Sequence, residues 1–476
     1  MKPGGRVYLV GAGPGDPGLI TRRGLELLRE CDVVVADRLV PPRLLQELKP
    51  EAKRLNAPAP ADALVKHVRA GRTVVHLAAG DPFSFSPAAS EALDLARAGV
   101  AVEIVPGISP ALAAPAYAGI PLTRGDRGSV TIARDGNVPT GGTVVLSTDE
   151  NSLRSTVAAL IGNGHDSERP TALIEWGTTP SQRTLVAPLA EIADRAAAAK
   201  LRGPLVAVVG DVVALREQLA WFEKKPLFGL RVVVTRAGGQ SGKLTAQLEA
   251  LGAAVVEMPV ISIRDPASWH ELDQSIRLLD EGFFKWVIFT SANAVEKVFA
   301  RLEHASLDAR AFGRVRVAAV GSSTAGLLAQ RGIRADLVPA EFTGASVAKA
   351  LGRGSGRILL PRVQGAPEDL VDALSGAGWN VREVVAYRNV PARKDSLGAA
   401  VVESGRYDVV TFTSASTVRS FVALAGTAAG RGVACIGPVT AEAARESGLT
   451  VDVVSGEHTV EGLVRALVER FGRVAP

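Results

Sequence analysis

Trp286-Val-Ile-Phe-Thr-Ser-Ala292 returns later in the chain as Val409-Val-Thr-Phe-Thr-Ser-Ala415, and this pair decides how the second half is read. Each copy opens as a short apolar run, of the length and composition of a buried strand. Each then breaks into small polar residues ahead of a helix-length amphipathic stretch. A second pair follows in the same order, Gly321-Ser-Ser-Thr-Ala325 and Gly437-Pro-Val-Thr-Ala441, again after a strand and at the opening of a helix. Chance readily gives one such pair but hardly two in register, so the second half is expected to hold two similar α/β lobes. Two long strand-like segments, Val255–Ile263 and Val381–Val390, read as the paired crossings of a chain that leaves one lobe, builds the other and returns. The lobes are then discontinuous, with 228–262 and 391–476 enclosing 263–388.

Outward from the repeat, the same alternation runs through the first half. Val7–Val10, Val33–Ala36, Val74–Ala78, Val102–Val105, Val144–Ser147 and Val206–Val209 read as strands, with helices such as Thr21–Glu30 and Pro87–Ala98 between them. The fold class is therefore α/β, with largely parallel, buried strands. A charged amphipathic helix over Ala214–Phe222 runs into Glu223-Lys-Lys-Pro-Leu-Phe-Gly229, where Pro and Gly stop a helix and permit a linker. The boundary is placed at residue 226, giving domains 1–226 and 227–476; a length of 476 residues supports roughly two to four domains.

Composition narrows the function classes. With 47% hydrophobic and 22% charged residues the chain is of the soluble globular kind, and its net charge of +5 comes without a Lys/Arg block. Nucleic-acid binding is not expected, because no basic stripe with interleaved aromatics occurs. No apolar run approaches a bilayer span and no apolar signal region opens the chain, so a cytoplasmic protein without a membrane partner is expected. Cys31 and Cys435 lie at opposite ends beside buried-looking strands and are read as free thiols of a reducing compartment. The six histidines show no ligand spacing, and no metal site is expected.

A strand that ends in Thr-Ser-Ala or Gly-x-x-Thr-Ala and opens a helix is an anion-binding shape. Small residues admit a ligand to the backbone, while hydroxyls and free amides at the helix start favour negative charge. Plain N-capping explains any one such turn; four of them, two per lobe, point to a shared anionic ligand. At Val233-Val-Thr-Arg236, Phe289–Val295, Ala319–Ala325, Leu359-Leu-Pro-Arg362, Val385-Ala-Tyr-Arg388, Thr411–Ser414 and Ile436–Ala441 the second half resembles uroporphyrinogen-III synthase over its whole length. That resemblance implies closure of linear hydroxymethylbilane to uroporphyrinogen III, with inversion of the last ring, loss of water and no cofactor. It implies substrate binding by Arg236, Thr290, Ser291, Ser322, Thr324, Arg362, Thr413, Ser414 and Thr440. It makes Tyr387 the candidate acid, with a packing tyrosine as the alternative. Arg236 and Arg362 are carboxylate partners or structural arginines. A bilobal small-molecule sensor is the rival from another class, which conversion of substrate would discriminate.

In the first half Gly11-Ala-Gly-Pro-Gly-Asp-Pro17 follows a strand, but Asp16 stands where a dinucleotide fingerprint needs its third glycine, which speaks against an oxidoreductase. With Asp37-Arg-Leu-Val40, Gly80-Asp-Pro-Phe83, Val105-Pro-Gly-Ile108, Ala111–Thr123 and Gly177-Thr-Thr-Pro180, residues 5–222 resemble uroporphyrinogen-III C-methyltransferase. The resemblance implies a two-subdomain α/β unit, S-adenosylmethionine as cofactor, Asp37 as base and a homodimer through this half. It puts Pro14, Gly80, Asp81, Ser109, Thr148 and Gly177 at the cofactor. Four departures set this chain apart: the shortened loop Arg54–Pro60, Ala79 before Gly80, Ser84–Ser90 in place of a glycine-rich stretch, and Ser147-Thr148-Asp149 in place of Tyr-Met-Gly. Each adds bulk or removes a polar contact where backbone must approach closely, so the fold is expected to survive with weak or absent methylation, the alternative being a fully bifunctional synthase/methyltransferase making precorrin-2.

Overall fold

Short runs rich in β-branched residues, most of them four to six long, form the strands. The computed structural model describes residues 5–125, 128–235, 238–339, 344–391, 397–427 and 432–473. The chain begins with β1 (Arg6–Gly11), β2 (Val33–Ala36), β3 (Lys53–Asn56), β4 (Thr73–Ala78) and β5 (Val102–Val105), a wholly parallel sheet in the order β3-β2-β4-β1-β5. Both faces are covered. Val7, Leu9, Val33, Val35 and Val74 go to one core, while Val10, Val34, Val75 and Leu77 go to the other, as a period of two requires.

A second sheet holds β6 (Val130–Ala133), β7 (Thr143–Thr148), β8 (Pro170–Glu175), β9 (Arg183–Pro188) and β10 (Leu205–Val209), in the order β6-β7-β10-β8-β9. Only β6–β7 is parallel there; β7–β10, β10–β8 and β8–β9 are antiparallel. The expectation of largely parallel strands thus fails in this sheet, because β8 and β9 follow one another through a short turn that can only reverse the chain. The helix expected over Ala214–Phe222 is also corrected. It breaks into 3-10 turns around the short helix Arg216–Leu219, since Phe222 turns inward and both it and the exposed Trp221 pack on Tyr117, at ring distances of 4.7 and 5.1 Å, and Arg216 pairs with Glu223 at 2.6 Å.

The remaining strands are β11 (Arg231–Val234), β12 (Ala254–Glu257), β13 (Ile261–Arg264), β14 (Trp286–Phe289), β15 (Arg316–Ala319), β16 (Arg357–Val363), β17 (Asn380–Pro391), β18 (Val409–Phe412), β19 (Gly432–Cys435) and β20 (Val453–Val454). They form two sheets, β12-β11-β18-β19-β20 and β13-β17-β16-β14-β15. Matching β18 to β14 and β19 to β15 matches β11 to β16 and β12 to β17, and the lone bridge Ala318–Leu337 stands in for β20. The resemblance reaches single side chains. Asp336 caps β15 through the amide of Val317 at 2.7 Å, and Asp452 caps β19 through Val433 at 2.8 Å.

The segment expected as one strand over Val255–Ile263 is two, β12 and β13, in different sheets. Pro259 lacks the donor a continuous ladder needs, and the chain changes sheet there. β17 is continuous and pairs antiparallel with β13.

By compactness the chain divides into Met1–Val232 with Leu244–Val255 and Val464–Pro476, and Val233–Lys243 with Val256–Leu463. The boundary expected at residue 226 therefore lies inside the first unit, where Leu227 bonds to Leu251 and Arg473 to Pro226, both at 2.9 Å. Cys31 and Cys435 are buried free thiols, which burial pushes up to about 11. Among the described residues no helix is long and apolar enough to cross a membrane.

Candidate functional site

Parallel strands present their carboxyl ends at one edge, and that edge collects the second half's candidates. Thr290 and Ser291 follow β14, and Ser291 caps the helix Ala292–His304, its Oγ accepting the Ala294 amide at 3.2 Å. Thr413 and Ser414 follow β18 in the same way, with Ser414 accepting from Thr417 at 3.3 Å. Gly321 and Gly437 hold the equivalent position before Ser322–Gln330 and Pro438–Glu446, with no side-chain cap. These helices keep their first amides free of a capping side chain. Thr324 and Thr440 are buried inside those helices and Ser322 is exposed, so of the three only Ser322 is open to a ligand in solution.

Tyr387 lies on β17, buried among the core of its sheet, and its hydroxyl meets Ser291 Oγ at 3.1 Å. The structure thus joins the expected acid to one expected binding residue, while the alternative, a packing role, also describes its ring.

Arg362 is 3% exposed. Its guanidinium donates to Glu383 at 2.6 Å and to the Pro367 carbonyl at 2.7 Å, and its Nε is buried without a partner. An arginine committed in this way agrees with the structural alternative rather than with a substrate carboxylate partner. Arg236 lies outside the described residues.

In the first half, β2 and β4 pair with Val35 opposite His76. Alternation then puts Asp37, two residues beyond Val35, on the same face as His76. Their side chains meet at 3.1 Å, and Asp37 also accepts the Ala79 amide at 3.1 Å. From the helix Ala88–Arg97, Glu91 reaches the other imidazole nitrogen at 2.8 Å. Burial alone would lower His76, yet the hydrogen bonds and charges of Asp37 and Glu91 outweigh it and raise it to about 9. Burial raises Asp37, but the bonds from His76 and Ala79 leave it below the usual carboxylate range. His76 was passed over among histidines without ligand spacing; a polar residue inside the apolar run Val74-Val-His-Leu77 was the signal.

The loops after β1, β4 and β5 close on one another. Gly13 and Gly80 exchange backbone bonds at 3.1 and 2.8 Å, and Gly80 has φ +72°, with Pro110 2.7 Å from where a Cβ would stand. Asp81 ties this loop to the amides of Phe83 and Gly107, both at 2.9 Å. Pro14 sits in the first loop, whose Asp16 receives the Tyr117 hydroxyl at 2.8 Å and donates its amide to Thr178 at 3.1 Å. At Gly177 a Cβ would lie 2.4 Å from that of Ala114. Ser109 caps the helix Pro110–Tyr117, and Thr148 contacts Ser152 at 3.1 Å. The structure therefore brings Asp37, Pro14, Gly80, Asp81 and Ser109 to one strand-end edge. A glycine cradle for close backbone approach fits S-adenosylmethionine, but Asp81 and Thr148 spend their polar atoms on the protein itself.

Comparison with known proteins agrees with both halves. The family model for uroporphyrinogen-III synthase HemD matches residues 242–465, and the model for tetrapyrrole (corrin/porphyrin) methylases matches residues 6–193. The porphyrin biosynthesis protein HemD of Ruminiclostridium josui is 33% identical over 98% of this chain and 98% of its own length. The uroporphyrinogen-III C-methyltransferase of Bacillus subtilis is 33% identical over 64% of this chain and 68% of its own. Among solved structures, a uroporphyrin-III C-methyltransferase from Thermus thermophilus is 32% identical, covering 46% of this chain and 99% of that one, with a TM-score of 0.42. The chain belongs to the porphyrin-biosynthesis HemD family, as a fusion of a tetrapyrrole methylase domain with a uroporphyrinogen-III synthase domain. It is an enzyme chain, which sets aside the sensor reading.

Proposed function

We propose that the second half cyclises hydroxymethylbilane to uroporphyrinogen III, with Tyr387 assisting departure of the hydroxyl and the helix openings of both lobes receiving the substrate's carboxylates. The observation that carries this reading is the Tyr387–Ser291 contact at the end of β14, beside helix amides left free for an anion. A hydroxyl 3.1 Å from a second hydroxyl has a partner to orient its proton, and loss of water needs only one positioned donor. Folding the bilane for closure is then a matter of holding its acidic arms, which small residues and free amides in two lobes suit. The test is incubation of the full chain with hydroxymethylbilane. Formation of the type III isomer without added cofactor is expected, and formation of the spontaneous type I isomer alone would overturn the reading.

For the first half the reading is a methylase domain of weak or absent activity, acting on the synthase's product. When bound, S-adenosylmethionine would supply a methyl group carried on sulfonium; Gly13, Gly80 and Gly107 would admit it to the backbone. Domains 1–226 and 227–476 are proposed as the functional division, within a cytoplasmic protein with no nucleic-acid partner. A homodimer through the first half, as the resemblance implies, would be checked by the molecular weight in sedimentation.

A further inference from the structure

On β13 and β17 two arginines stand directly opposite each other, Arg264 against Arg388. Side chains facing across an antiparallel pair lie about 5 Å apart at Cβ, and like charges there destabilise the sheet. Neither arginine forms an ion pair among the described residues. Arg388 donates Nε to the Asp265 carbonyl at 2.9 Å, which fixes the plane of its guanidinium and leaves its terminal nitrogens free. The neighbouring carboxylate does not neutralise them, because Asp265 is held by Lys297 at 2.6 Å. Both arginines line a cavity of about 510 Å³, whose walls also include Ile263, Asp265 and Pro266. That volume is of the size that takes a small-molecule group, here with two forked cations and an apolar wall.

We propose that this cavity is a carboxylate subsite in which Arg264 and Arg388 together grip one acidic side arm of the tetrapyrrole substrate; the proposal rests on the synthase reading above. A carboxylate accepts two parallel N–H donors from a planar guanidinium, and one placed between two such groups removes their repulsion. Pro266 suits the methylenes that join such a carboxylate to a pyrrole. The location suits the role as well. β13 and the tail of β17 are the strands next to the chain's two changes of sheet, at Met258–Val260 and between β17 and β18. Arg388 follows Tyr387 directly in β17, beside the point at Arg362–Val363 where the pairing with β16 shifts register, and Tyr387 carries its hydroxyl to Ser291. One strand then carries both a grip on the substrate and the hydroxyl proposed for the chemistry.

The experiment uses the full chain with Arg264→Gln, Arg388→Gln and the double variant. Two readouts are taken: hydroxymethylbilane turnover, and binding of uroporphyrin III, a stable octacarboxylate, followed by fluorescence. Each single change is expected to raise KM and the uroporphyrin dissociation constant roughly ten-fold with kcat little altered. The double variant should lose less than the product of the singles, since both groups hold one carboxylate. Arg264→Gln should leave the melting temperature unchanged or higher, because it relieves repulsion; a purely structural arginine would lower it. Native KM and native uroporphyrin affinity in both single variants would overturn the proposal. An unaltered chain that binds uroporphyrin III through these arginines yet gives only the type I isomer would instead overturn the synthase reading and leave the subsite standing.

Discussion

His76 is the residue on which the first half's electrostatics turn. Its value is raised from 6.5 to about 9, so its contribution to stability is present in full below about pH 6.5 and is lost as pH rises through about 9. Asp37 is lowered, so its contribution is present above its ordinary value of 3.8 and is lost as pH falls through its folded value. Between those limits the trio is most stable, by an amount on the order of 3 kcal/mol for the imidazolium. Replacing His76 with Gln leaves Asp37 and Glu91 facing each other without a cation. Urea unfolding of the full chain from pH 6 to 10 should show the native protein losing stability relative to His76→Gln as pH rises, from an advantage of roughly 3 kcal/mol at pH 6. A difference that does not vary with pH would mean that the imidazole is neutral. Tyr387→Phe is the matching change in the second half. It removes one hydroxyl from a buried ring and its bond to Ser291, so folding should lose only about 1 kcal/mol. Turnover should fall on the order of ten- to ten-thousand-fold if the hydroxyl is the acid. An unchanged rate would return Tyr387 to packing.

At the scale of the element, strands and their ends were legible and their pairings were not. Val33–Ala36 was bounded correctly because both faces of an inner parallel strand are buried and its apolar run between Asp32 and Asp37 is uninterrupted, whereas Val102–Val105, at the sheet edge and interrupted by Glu103, was bounded by Pro106. The two Thr-Ser-Ala openings were read correctly as helix starts, since an N-cap is a local device. Pro259 was the readable break inside Val255–Ile263, but the change of sheet it marks depends on partners far along the chain. The antiparallel β8–β9 pair and the inward turn of Phe222 onto Tyr117 were hidden for the same reason. So was Arg362, whose motif looks like a ligand arginine until Glu383 is found beside it. The caps themselves can be tested. Ser291→Ala and Ser414→Ala each remove one capping bond and should each cost about 1 kcal/mol of stability, by thermal unfolding. Their kinetics should differ. Ser414→Ala should chiefly raise KM, while Ser291→Ala, which also strips Tyr387 of its partner, should lower kcat as well. Equal kinetic effects would detach Ser291 from the chemistry.

For the whole molecule, the two halves have met different constraints. The synthase half keeps its duplicated helix openings and its Tyr387–Ser291 contact, whereas the methylase half keeps the loop geometry of a cofactor site and has altered the walls. Gly13, Gly80 and Gly107 still approach one another closely, which preserves the fold at that edge. Yet Ala79 adds a methyl group beside Asp37, and Ser84–Ser90 replaces a stretch that resemblance makes glycine-rich. Thr148 is turned to Ser152. Asp37 itself is bound to His76 and to a backbone amide, and lies below the usual carboxylate range, which makes it a weaker base than a free carboxylate. A methyl transfer needs its two carbons held in line, and a small displacement is expensive in rate. Calorimetry of the full chain with S-adenosylmethionine should therefore give binding weaker than micromolar. Hydroxymethylbilane supplied together with S-adenosylmethionine should accumulate uroporphyrinogen III rather than methylated product. Micromolar binding followed by methylation would show that the remaining glycine cradle suffices, and that His76 holds Asp37 in place for proton removal instead of restraining it.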